Sequence, residues 1–385
     1  MDRQFSVILA LSLGLFAAAC GGGGGGSSSG GNDGSAEAPP PQPRGVQVET
    51  VATGLEHPWS LVFLPDGRML VSERPGRLNL IDPASGQRAE ISGLPPIVAL
   101  GQGGLLGLAL HPRFADNGWV YLSYSAQGAD GVGTELGRGR LQDGRLVDFQ
   151  VLFRATPYGA SGEHFGGRIA FDWQGHLFLG LGERGERQRA QDLRDHNGKL
   201  IRLNDDGTIP ADNPFVGRSD AQPAIYSYGH RNIQGLAVHP VSGRLWLSEH
   251  GPQGGDELNL PEPGRNYGWP IITHGQEYGG GTIGPTEMAG MEQPVHYWAP
   301  SIAPSGITFY TGEAFPQWRG NLFVSALAGR HLARLTLDGE RVVAEERLLV
   351  DEGYRIRDVV QGPDGLLYVL VDEDSAPILR LRPVP

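Results

Sequence analysis

Between Tyr228 and Pro252 the chain sets an arginine and an asparagine in Tyr228-Gly229-His230-Arg231-Asn232-Ile233-Gln234-Gly235. A short alternating apolar stretch follows, ending in Ser248-Glu249-His250-Gly251-Pro252. A guanidinium and an amide crowded before a strand suit a group on which negative charge develops. A Gly-Pro pair can turn two backbone carbonyls toward a cation, because glycine tolerates unusual dihedrals and proline has no N–H. Further polar residues stand at strand starts: Gln102 before Gly103-Gly104-Leu105-Leu106-Gly107, Glu163-His164 before Phe165-Gly166-Gly167-Arg168, and Arg355 and Arg357 on either side of Ile356. Alternate positions of an extended strand share a face, so the last two arginines are expected together. A histidine with a reference pKa of about 6.5 is a base usable near neutrality. Each of these residues has a plainer explanation alone: a strand-end histidine, a turn arginine with a capping asparagine, a rim salt bridge for Arg357, a simple Gly-Pro turn.

The elements that must position them repeat. An apolar alternating strand, a turn rich in Pro, Asp or Gly and a second alternating strand recur six times. The copies begin at Trp59-Ser60-Leu61-Val62-Phe63, Leu106-Gly107-Leu108-Ala109-Leu110, Arg168-Ile169-Ala170-Phe171, Gly235-Leu236-Ala237-Val238, Gly306-Ile307-Thr308-Phe309 and Arg357-Asp358-Val359-Val360. Period-2 alternation bounded by such turns marks antiparallel hairpins, and the spacing matches one four-stranded propeller blade per copy. The expected fold is all-β, a six-bladed β-propeller over residues 46–385. Its channel mouth would collect the residue at the start of each inner strand.

The net charge of -12, with no basic run, excludes a nucleic-acid partner, because such binding draws on clustered Lys and Arg. The single cysteine, Cys20, leaves the body after it without disulfides or a thiol nucleophile. Residues 1–20 read as an export signal: Arg3, an apolar stretch from Phe5 to Phe16, and Ala17-Ala18-Ala19 before Cys20. This resembles a bacterial lipoprotein signal with Cys20 as the lipidated residue, departing from the usual pattern at Ala17. The expectation is a periplasmic protein held to a membrane only by lipid. Gly21 after the cysteine favours the outer membrane. Residues 21–45, Gly/Ser-rich and then Pro-rich, read as a disordered tether.

Beyond the tether the chain is similar to the soluble pyrroloquinoline quinone (PQQ)-dependent aldose sugar dehydrogenases, the glucose/sorbosone dehydrogenase family. The motifs that carry the likeness are Gly103-Gly104-Leu105-Leu106-Gly107, Gly229-His230-Arg231-Asn232, Glu249-His250-Gly251-Pro252, Asn266-Tyr267-Gly268-Trp269-Pro270, Pro300-Ser301-Ile302-Ala303-Pro304-Ser305-Gly306 and Arg355-Ile356-Arg357-Asp358. The resemblance implies oxidation of the anomeric carbon of an aldose mono- or oligosaccharide to a lactone, with PQQ and Ca²⁺ as cofactors and electrons passed to an external acceptor. It implies His164 as general base, oriented by Glu163. Arg231 and Asn232 would touch the cofactor's carbonyl region, Arg355 and Arg357 would clamp its carboxylates, and Gln102 and Trp298 would lie beside cofactor or substrate. Calcium would be held by Gly251 and Pro252, and a second calcium by Glu257 and Tyr267. Ala328 stands where relatives place a lysine, with Arg330 two residues on as the candidate replacement. Two other classes fit a propeller: a calcium-dependent lactonase or hydrolase, which usually needs several converging carboxylates, and a non-catalytic propeller binding glycan or protein on its rim.

Overall fold

The computed structural model describes residues 45–384; Cys20, the export segment and the tether up to residue 44 lie outside the described residues. Six sheets of four antiparallel strands form the blades. Their inner strands are Pro58–Phe63, Leu105–Leu110, Ile169–Phe171, Ile233–Val238, Pro304–Phe309 and Ile356–Gln361, one from each copy of the repeated phrase. Each inner strand contacts the inner strands of the blades on either side, so the six close into a ring. Among the described residues the only α-helix is the single turn Phe114–Asn117.

The ring closes in a way the repeat does not announce. The strand Gly45–Leu55 pairs antiparallel with Ala376–Val384, setting Val46 opposite Pro383, and becomes the outer strand of the sixth sheet. Joining the two ends of the described chain in one sheet fastens the ring through a strand ladder between its first and last segments. Blades are also latched through their second strands. The hydroxyl of Ser72 donates to Leu106 O at 2.6 Å and that of Ser248 to Ser305 O at 2.8 Å, and Ser123 donates likewise to Gly167 O. In each case a serine bonds the inner strand of the next blade or, at Gly167, the residues leading into it. Between these polar latches, alternate residues of the strands fill the space between sheets, as with Met69, Val71, Val369 and Val371, all fully buried.

One ion pair crosses the channel. Arg168, just before the third inner strand, places NH1 3.0 Å from Asp358 Oδ2 on the sixth, and both side chains are buried. Arg168 Nε donates to Gln234 O of the fourth inner strand at 2.9 Å, and Leu61 N of the first donates to the same Asp358 oxygen at 3.3 Å. Burial raises the carboxyl's pKa and lowers the guanidinium's, and their mutual attraction opposes both shifts. Gly306 is required here, since a β-carbon on it would sit 1.8 Å from Asp358 Oδ1.

Removing one member of such a pair leaves a buried charge uncompensated. Asp358→Asn is expected to lower the unfolding free energy by about 3 kcal/mol or more, read by denaturant titration. The double change Arg168→Met, Asp358→Leu should lose less than that single change.

Candidate functional site

Two chambers open at the channel mouth, where the inner strands begin, and they share Gln102, His250 and Ala303. The first, of about 290 Å³, holds Trp59, Arg74, Arg355, Arg357 and Asp372. The second, of about 590 Å³, holds His164, Arg231, Gly251, Pro252, Tyr278 and Ala328. Residues drawn from loops across more than 250 positions of sequence thus meet in one bowl, His164 and Arg231 on the same side of it.

His164 is 8% exposed and sits at φ 48°, a left-handed conformation unusual for a residue with a β-carbon. Its backbone N–H donates to Gln102 Oε1 at 3.0 Å, and its Nδ1 lies 2.8 Å from Glu183 Oε2. Glu183 is 1% exposed and its own N–H donates to Arg231 O at 3.0 Å, which couples the carboxylate to the segment bearing the site's arginine. A carboxylate accepts only, so Nδ1 carries the proton and the Nε2 lone pair is left as the base. Glu163, expected to orient the imidazole, does not. It is exposed, its carboxylate lies against Gly185, and the left-handed turn at His164 sends the ring inward to a different strand end.

Arg231 is 7% exposed, and among the described residues no carboxylate meets its guanidinium. NH1 donates to His250 O at 3.4 Å and NH2 to Tyr278 Oη at 3.3 Å, Nε has no partner, and the group lies 5.4 Å from the Trp269 ring. In the first chamber Arg357 lies 2.9 Å and Arg355 3.7 Å from Asp372 Oδ2, so both arginines of the alternating pair face it. His57 Nδ1 reaches the other oxygen of Asp372 at 2.7 Å. Burial opposes the charge on Asp372, but Arg357 and His57 outweigh it and hold the carboxyl well below its usual range. His250, between the chambers, is driven well below the ordinary imidazole value by burial and by the fields of Arg231, Arg357 and His164, so it is neutral at working pH. Its Nε2, Arg231 Nε and Arg357 Nε are enclosed without a protein partner. The unpaired Nε donors of Arg231 and Arg357, with the other guanidinium groups, in a chain of net charge -12 fit an anionic ligand with several acceptor oxygens.

The carbonyl-bearing loop is held from below. Asp256, fully buried, accepts from Gly251 N, Ile302 N and Ala303 N, each at 2.8 Å, and from Ser301 Oγ at 2.6 Å. One carboxylate thereby fixes both walls of the second chamber. Nothing in the local sequence distinguishes Asp256 from a solvated loop acid.

Other expected residues fall elsewhere. Asn232 is 1% exposed and spends its amide oxygen on Gly166 N at 3.2 Å and Gln234 Nε2 at 3.1 Å, so it braces the turn beyond His164 and does not line either chamber. Trp298 lies on the outer strand His296–Trp298, packs with Trp246 and Leu258, and donates from Nε1 to Glu345 at 2.8 Å; it is blade packing, not a wall of the mouth. The Phe, Trp and Tyr side chains at the chambers are Trp59, Phe165 and Tyr278. Arg330 donates to Gly353 O at 2.8 Å and lines neither chamber, so it does not supply a charge beside Ala328. Glu257 stands opposite Glu249 across two strands and is pushed up to about 8 by burial and by that neighbour. Tyr267 is stacked on His230 with ring centres 4.8 Å apart, donates its hydroxyl to Leu260 O and accepts from Glu262 N at 3.0 Å.

The family described as Glucose / Sorbosone dehydrogenase matches residues 55–380. The chain is 48% identical over 348 residues to the aldose sugar dehydrogenase YliI of Escherichia coli (strain K12), covering 89% of this chain and 94% of that one. It superposes on the crystal structure of the soluble aldose sugar dehydrogenase from Escherichia coli in the apo-form with a TM-score of 0.86 at 48% identity, over 88% of this chain and 100% of the other. The PQQ-bound form of aldose sugar dehydrogenase from Streptomyces coelicolor matches with a TM-score of 0.74 at 33% identity, over 89% and 99%.

The pairing of Asp372 sets a pH dependence. Its folded-state pKa is depressed, so the stability it contributes is present above the unfolded carboxylate value of about 3.9 and is lost as pH falls below it. Asp372→Asn should therefore melt lower than wild type at pH 7, with the gap in Tm closing as the pH is taken below about 4.

Proposed function

The chain belongs to the glucose/sorbosone dehydrogenase family, and from that premise we propose that it oxidises the anomeric carbon of aldoses to lactones with PQQ and Ca²⁺. The observation that carries this reading is the oriented His164, which shares one bowl with Arg231, whose guanidinium meets no carboxylate among the described residues, and with Arg355 and Arg357, which share the carboxylate of Asp372. When bound, PQQ supplies the oxidant that takes the hydride leaving the anomeric carbon. His164 Nε2 removes the proton of the anomeric hydroxyl, and Glu183 holds the ring in the required tautomer and stabilises the imidazolium that results. Gln102, which lines both chambers, fixes the backbone of that histidine. Arg231 brings fixed positive charge to the bowl in a site whose walls exclude much of the solvent, where it favours an oxygen gaining negative charge. Arg355 and Arg357 suit carboxylates, for which the planar guanidinium fork is matched.

Calcium is assigned to the main-chain carbonyls of Gly251 and Pro252, which line the second chamber on the loop tied down by Asp256. Among the described residues no group of three or more His, Cys, Asp or Glu side chains converges as a metal site, which counts against the hydrolase alternative with its requirement for converging carboxylates. A rim-binding propeller leaves the guanidinium cluster without purpose. Residues 1–20 support export and anchoring through Cys20, which would place the reaction outside the cytoplasm with electrons delivered to an external acceptor.

The test is dye reduction by protein reconstituted with PQQ and Ca²⁺ across a panel of aldoses. His164→Gln should lower turnover by roughly a thousandfold, within the usual range for loss of a general base. Glu183→Gln should lower it by roughly a hundredfold and alter the pH profile. Glu163→Gln, at an exposed position, should stay within about twofold. Turnover that survives His164→Gln, or a Glu163 change more damaging than the Glu183 change, would refute the assignment.

A further inference from the structure

Arg74 was not singled out by its surroundings in the sequence, yet it stands in the first chamber beside Arg355, Arg357 and Asp372. It follows the second strand of the first blade, Met69–Glu73, and its backbone is pinned on both sides: its N–H donates to His57 O at 3.0 Å and its carbonyl accepts from Leu105 N at 3.0 Å. That packing also explains Gly104, since a β-carbon there would fall 1.8 Å from Arg74 O. The Gly103-Gly104 pair thus admits the second blade onto the segment that carries the arginine. The guanidinium makes one side-chain hydrogen bond among the described residues, from NH1 to Gly101 O at 2.6 Å, and no ion pair.

The charges around it do not balance. Asp372 is the one carboxylate lining this chamber, and Arg357, Arg355 and His57 already address it. Three guanidinium groups against one carboxylate leave an excess of positive charge held partly out of water. Burial and the fields of Arg357 and Arg355 make Arg74 less basic than a free arginine, with Asp372 and, more weakly, Asp374 opposing them. Such a cluster is unfavourable unless a ligand brings negative charge into it.

From this geometry we infer that Arg74 is a third carboxylate-binding residue of the cofactor site, acting with Arg355 and Arg357 on the carboxylates of the quinone. This rests on the PQQ reading above. Arg74 adds what the other two cannot: their guanidinium groups are shared with Asp372, whereas Arg74 has its Nε and NH2 uncommitted to any protein acceptor. It also reaches the ligand from the first blade, which neighbours the sixth blade carrying Arg355 and Arg357, so the ligand's anionic edge would tie those two blades.

The test separates charge recognition from shape. PQQ and its uncharged trimethyl ester are titrated into the Ca²⁺-loaded apoprotein and binding is followed by quenching of intrinsic fluorescence, with no turnover involved. Arg74→Gln is expected to weaken PQQ binding about tenfold or more while leaving the ester's affinity at its wild-type value. Arg74→Lys, which keeps charge but not the fork, should fall between and also serves if the glutamine variant does not fold. Equal PQQ affinity in Arg74→Gln and wild type overturns the inference, and so does an equal loss for PQQ and ester, which would mean that Arg74 only shapes the chamber. Wild-type protein that binds neither quinone overturns the cofactor reading itself, and the role of Arg74 falls with it.

Discussion

The bowl exists because six sheets meet around a channel whose floor is crossed by a single buried ion pair, Arg168 to Asp358. The pair touches the first, third, fourth and sixth inner strands through Leu61, Arg168, Gln234 and Asp358. Four strands that have no sequence proximity are thereby held at a common level. The arginine also stacks 4.3 Å from the Trp59 ring, and that ring lines the first chamber. The floor of the site and the integrity of the ring are therefore one structure. An apolar plug could fill the same volume, but it would not hold Gln234 O and Leu61 N at fixed positions.

Above that floor the side chains divide by chemistry. Two buried carboxylates serve the protein rather than the ligand: Glu183 aims the histidine, and Asp256 collects four donors from two loops. Each acts on a residue other than itself, so each is silent in any motif that names only what touches substrate. The guanidinium groups do the reverse. Among the described residues the Arg231 guanidinium meets no carboxylate, Arg355 and Arg357 share Asp372, and Arg74 makes no ion pair, so the protein holds donors in excess on both sides of His250. A folded chain tolerates that excess when the fold is stable enough to bear it and a ligand completes it. The neutral state of His250, imposed by burial and by those same arginines, keeps a further charge from being added at the join of the two chambers.

Much of this was legible before any coordinates. Alternation and turn residues marked all six inner strands, because strand pleat and turn dihedrals are local properties recorded within a few residues. The placing of polar residues at strand starts then put Gln102, His164, Arg231, Arg355 and Arg357 at one mouth, since a propeller brings equivalent positions of its repeats together. Spacing by two correctly set Arg355 and Arg357 on one face.

Contacts between side chains carried by different strands and loops were not legible in this way. The carboxylate on His164 comes from Glu183 at the end of the next strand, not from the adjacent Glu163, because the left-handed backbone at residue 164 separates the directions of the two neighbouring side chains. Trp298 turned into the gap between blades where Glu345 accepts its N–H, and Asn232 turned inward to brace Gly166, although both stand in motifs beside the site. Arg74 and Asp372 entered the chamber from opposite ends of the chain, and Gly45–Leu55 closed a sheet with a partner more than 300 residues away. Local pattern specifies that a strand or turn forms; which side chains meet depends on the twist and packing of whole sheets, and no short window of residues encodes it.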